Sequence, residues 1–203
     1  MFEPSFLEDD QLFGALDRGA PDLPLVVPSG GVVIAAAGVW GRYGSVVALR
    51  RDGQDGDALL SDVHLVERSV DGQWLAPDSC SGSGLPEWVL RRHDGPLPDS
   101  HSSDLTNLGA QMAHVGGSWL AELTVVASRA ISTVEIRYGG EEITAPVPPG
   151  GLVTLPGLVR SPDDVAEFRG FDDTGEPRSV AYYSPLTESD RKVGWPAESL
   201  WAS

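Results

Sequence analysis

The feature that most constrains this chain is a two-residue alternation that begins at Trp119. Trp119, Ala121, Leu123, Val125 and Ala127 are apolar, while Ser118, Glu122, Thr124 and Ser128 fall between them. A period of two belongs to a strand with one buried face, because successive side chains point to opposite sides of a sheet. The pattern then repeats. Val134, Ile136 and Tyr138 alternate with Thr133, Glu135 and Arg137, and Gly139-Gly140 joins them to Glu141–Val147, a strong two-residue hairpin signal. Pro148-Pro149-Gly150-Gly151 turns the chain into Leu152–Leu155, and the strands 165–171 and 179–183 pair around Asp173–Glu176. Short strands at this spacing, with no convincing helix between them, predict a sandwich rather than βαβ units.

The first half reads the same way with less regularity. Ser5-Phe-Leu-Glu8 fits a capping box that opens a short helix ending near Asp17, with Phe6, Leu12, Phe13 and Leu16 on one side. Val32–Trp40 is apolar on both faces, as a central strand is. Gly41–Gly44 turns the chain into Ser45–Arg51, and a third strand runs from Leu59 to Ser69. Asp71-Gly72 makes a hairpin into Gln73–Leu75. Residues 77–86 are small and polar and predict a loop, 87–92 predict a further strand, and 93–104 predict a long loop or linker.

The stretch from Trp119 to Tyr183 resembles the small immunoglobulin-like β modules of high-GC actinobacterial proteins, through VEIRYGGEEITAPV and FRGFDDTGEPRSV. SVVALRR and VHLVERSVDGQWL look similar to the hairpins of such proteins. The resemblance implies a fold and carries no activity. The expected architecture is therefore all-β, an antiparallel β-sandwich with an immunoglobulin-like C-terminal half and a short N-terminal helix. Its segments are a helix and extended lead-in at 1–30, a β unit at 31–92, a polar loop at 93–104, an immunoglobulin-like unit at 105–185 and a tail at 186–203.

Charge narrows the function classes. The net charge is -16, and residues 1–30 and 161–203 each sum to -5. Nucleic-acid binding and docking on anionic membranes both need clustered Lys and Arg, so neither is expected. Cys80 is the only cysteine, which rules out an intrachain disulfide and a cysteine-based zinc cluster. Met1–Asp10 has neither a basic nor an apolar leader region, and the longest apolar run, Val32–Trp40, is about half of a membrane span. The expected location is cytoplasmic.

Candidate chemistry concentrates in three places. His93, Asp99, His101 and Asp104 lie close enough in sequence to supply part of a zinc or manganese site, although a solvated linker carries such residues as well. Arg91 and Arg92 could hold an anionic group or cap a strand end. Trp195 and Trp201, on the C-terminal tail, could anchor a partner or fold back over an apolar edge. No catalytic residue is expected. Ser81-Gly82-Ser83-Gly84 lacks the nucleophile-elbow spacing, Gly38-x-x-Gly41-x-x-Gly44 is not a dinucleotide fingerprint, and Cys80 has no activating neighbour in sequence. These readings favour a cofactor-free, non-catalytic interaction, regulatory or accessory protein, such as an immunity-type factor, that meets a basic protein partner. A small metal-dependent enzyme and a structural subunit of a larger assembly are the alternatives.

Overall fold

The computed structural model describes residues 7–20, 26–51, 58–75, 78–98, 103–109, 111–161 and 163–184, with backbone alone at 78–83 and 109. One helix, α1 (Asp9–Arg18), precedes twelve strands: β1 (Val32–Trp40), β2 (Tyr43–Arg51), β3 (Leu59–Glu67), β4 (Asp78–Leu85), β5 (Leu105–Gly109), β6 (Met112–Val115), β7 (Ser118–Ala127), β8 (Thr133–Tyr138), β9 (Glu141–Pro146), β10 (Leu152–Leu158), β11 (Ala166–Phe171) and β12 (Pro177–Tyr183). All the pairings are antiparallel. The all-β expectation and its short N-terminal helix hold. Among the described residues no helix is long and apolar enough to cross a membrane.

The strands form three sheets. The front sheet is the meander β1-β2-β3-β4. The middle sheet has the order β10-β7-β5, with β6 beside β5 on the same edge of β7. The back sheet has the order β12-β11-β8-β9. β5 and β6 behave as one interrupted strand: Leu105 pairs Ala127 at one end of β7, Val115 pairs Ser118 at the other, and the Glu122 N–H donates to the Gln111 carbonyl between them.

Two apolar cores separate the three sheets. Val47, Leu49, Val63 and Leu65 of the front sheet pack on Leu120, Val126 and Leu152 of the middle sheet. Leu123, Val125, Val153 and Leu155, on its other face, pack on Val134, Ile136, Ala166 and Phe168 of the back sheet. β7 is therefore buried on both faces, and its polar alternation does not mark a solvent side. The helix covers the outer face of the front sheet, where Leu12 and Leu16 meet Val46 and Val66. Its cap sits three residues later than the sequence suggests. The Glu8 side chain accepts the N3 amide, and the Glu8 N–H donates to Gln11 Oε1 at 3.0 Å.

Two local expectations change. Residues 78–85 form β4 rather than a loop, paired along β3 from Leu59↔Leu85 to Leu65↔Asp78. Small polar residues have low strand propensity, but the free edge of β3 supplies a ladder that propensity does not register. Residues 87–90 form a 3-10 turn rather than a strand, with the Arg91 N–H closing on the Trp88 carbonyl. At Gly38 of β1 the front and middle sheets approach closely. A Cβ there would stand 1.9 Å from the Thr154 carbonyl oxygen, so only glycine permits the approach.

Candidate functional site

The polar residues of β7 converge on the interface between the front and middle sheets. Thr124 Oγ1 donates to Thr154 Oγ1 on β10 at 2.7 Å, and Thr154 Oγ1 lies 3.0 Å from Ser45 Oγ on β2. Nearer the end of β7, the Tyr43 hydroxyl donates to Ser118 Oγ at 3.1 Å. Ser45, Thr154 and Thr124 thus form a chain of hydroxyls, and Tyr43 with Ser118 a separate pair.

Glu122 sits in the same stripe of β7, between Leu120 and Thr124, and is 6% exposed. Burial pushes its carboxyl up to about 7, partly opposed by the neighbouring Thr124 hydroxyl. Desolvation disfavours the charged form, and here it outweighs the single favourable contact. A carboxyl half-ionised near neutral pH is suited to proton transfer. Glu122 nevertheless lines neither cleft of the surface described below. It holds a proton inside the sandwich.

The clefts lie along the edges of the sheets. One, of about 350 Å³, is an apolar groove between β1 (Ala35–Val39) and β9 (Ile143–Pro146), floored by β10. The other, of about 160 Å³, opens where the β1–β2 turn, the β8–β9 turn and the end of β10 meet. Trp40, Tyr43, Tyr138, Pro156 and Leu158 line it together with Arg42, Arg160 and Glu141. Arg160 pairs with Glu141 and donates to the Gly139 carbonyl at 3.0 Å. Arg42 pairs with the buried Glu67.

Those residues singled out from sequence that the structure describes do not meet in either cleft. His93 Nε2 lies 3.0 Å from the Trp88 carbonyl, and its ring stands edge-on to Trp88. Asp104 accepts the Ser128 hydroxyl at 2.8 Å, and Asp94 pairs with Arg129 at 2.5 Å. Among the described residues no group of three His, Cys, Asp or Glu could hold a metal ion. Asp99, His101, Trp195 and Trp201 lie outside the described residues. Arg91 is exposed. Arg92 reaches the carbonyls of Ile131 at 2.5 Å, Ser128 at 3.3 Å and Pro148 at 3.4 Å, and so ties the β7–β8 connection to the β9–β10 connection. Burial, together with the nearby Arg129, lowers its pKa.

Sequence reasoning missed Glu122, the hydroxyl seam and the arginine-rimmed cleft. Glu122 and Thr124 looked like a solvent face because alternation reports that two faces differ, and does not report what covers them. No family model, curated protein or solved structure matches the chain.

Proposed function

We propose that this protein is a non-catalytic, acidic interaction or accessory protein of the immunity type, acting in the cytoplasm on a basic protein partner. The observation that carries the reading is the fate of its arginines. Nine of the twelve in the described residues are ion-paired to the chain's own carboxylates. Arg92 is spent on backbone carbonyls. Asp9, Asp10, Asp71, Asp173 and Glu176 are exposed and join no salt bridge among the described residues. Cations already neutralised at home leave a net negative field, which attracts and orients a basic surface.

The immunoglobulin-like reading of the C-terminal half belongs to the same proposal. Its support is strand order. Taking β5 and β6 together as the first strand, the sheets run first-second-fifth and seventh-sixth-third-fourth, the Greek-key arrangement of such sandwiches.

The test is capture of partners on immobilised protein at low salt and at about 1 M salt, where charge attraction is screened beyond a few ångströms. A partner retained at low salt, released at high salt, and lost when the five exposed acids are changed to Asn or Gln is the expected result. Recovery of no salt-sensitive partner overturns the reading.

A further inference from the structure

The arginine-rimmed cleft has the dimensions and lining of a small-molecule site. Its volume, about 160 Å³, is close to that of an apolar cavity that accepts benzene, roughly 150 Å³. One aromatic ring fits, and Trp40, Tyr43 and Tyr138 line the space, with the Arg42 guanidinium over the Tyr43 ring at 5.4 Å. The Gly139-Gly140 turn, with φ of 57° and 82°, fixes the wall that carries Glu141.

The two arginines at the rim differ in availability. Arg42 neutralises Glu67, whose side chain is 6% exposed. Withdrawing that cation would leave a buried charge without compensation, so Arg42 stays in place. Arg160 pairs with Glu141, and both side chains are about half exposed, at 49% and 45%. A pair of that kind is weak in water, so one carboxylate can replace another on Arg160 at little cost. The backbone contact of Arg160 with Gly139 keeps the guanidinium oriented during such an exchange.

We propose that this cleft binds a small aromatic monocarboxylate, with its ring against Trp40 and Tyr43 and its carboxylate on Arg160 in place of Glu141. A single exchangeable cation matches a single negative charge. A dianion such as phosphate meets Glu141 with no second free cation to offset it. The planar fork of Arg160 suits a carboxylate's two oxygens. This site does not depend on the partner-binding reading, and neither result decides the other.

The test is an amide chemical-shift titration of the full chain with benzoate, run beside acetate, benzamide and inorganic phosphate. Benzoate should give saturable shifts confined to residues 40–43, 138–141 and 156–160, at least ten-fold tighter than any of the three controls. Arg160→Gln should weaken benzoate about ten-fold, and Glu141→Gln, which removes the competing carboxylate, should strengthen it several-fold. These opposite directions keep the test valid even where one variant fails to fold. Benzoate shifts that do not saturate, or that acetate or benzamide reproduces, overturn the proposal. So does a Glu141→Gln variant that binds benzoate no better than the parent chain.

Discussion

The two faces of β7 are built on different principles. Toward the back sheet the strand presents Ala121, Leu123, Val125 and Ala127, and the opposing residues are also apolar. Toward the front sheet it presents Ser118, Glu122 and Thr124 beside Leu120 and Val126, and hydroxyl contacts cross the interface from Ser118 to Tyr43 and, by way of Thr154, from Thr124 to Ser45. An apolar face gains from burial wherever it packs, because the effect has no direction. A hydroxyl seam tolerates one register only, since a slipped strand leaves buried donors without acceptors. The back interface supplies adhesion. The front interface supplies alignment, and Glu122 is its weakest member.

The largest effect should come from the apolar side. Phe168 is fully buried in the back core. Phe168→Ala should cost about 3–5 kcal/mol in urea unfolding, through lost transfer energy and the cavity left behind. A loss no greater than that of an exposed-site variant would show that this interface adds little to stability.

Glu122→Gln tests the other face, with the opposite sign. With a carboxyl raised from 4.5 to about 7, the folded state holds a proton that the unfolded chain releases. The stability that this group contributes is complete below about pH 4.5 and is lost as pH rises through about 7. Glutamine keeps the shape and never ionises. The variant should match the parent at pH 4 and exceed it at pH 8 by up to about 3 kcal/mol. Equal stability of the two proteins at both pH values would remove Glu122 from this account.

Gly38→Ala tests how closely the front and middle sheets must approach. The added methyl meets the Thr154 carbonyl, a backbone atom with no rotamer to yield. The expected loss is about 1–3 kcal/mol in thermal unfolding, typical of overpacking. A neutral result would mean that β1 can draw back without disturbing the seam.

The alternation from Trp119 made β7, β8 and β9 readable from sequence, and Leu12 and Leu16 marked the buried side of α1. β4 was not readable, because DSCSGSGL owes its strand state to β3 and has little intrinsic preference for it. The third sheet was hidden for a related reason. A polar stripe facing water and a polar stripe facing matched hydroxyls have the same spelling, and only the position of Thr154 and Ser45 separates them. The cleft was harder still, since Arg42, Glu141 and Arg160 are distant in sequence and meet only through the ends of different sheets.

The doubly covered middle sheet also has a consequence for how the chain emerges from the ribosome. The front sheet is complete at Leu85, whereas β10, which helps to cover its inner face, ends at Leu158. At synthesis rates of about 5–20 residues per second, that face waits roughly 4–15 seconds for its cover. During that interval Val47, Leu49, Val63 and Leu65 form an unfinished apolar surface on a nascent chain. The helix made first shields the opposite side of the same sheet, so the exposure is confined to one side while synthesis proceeds.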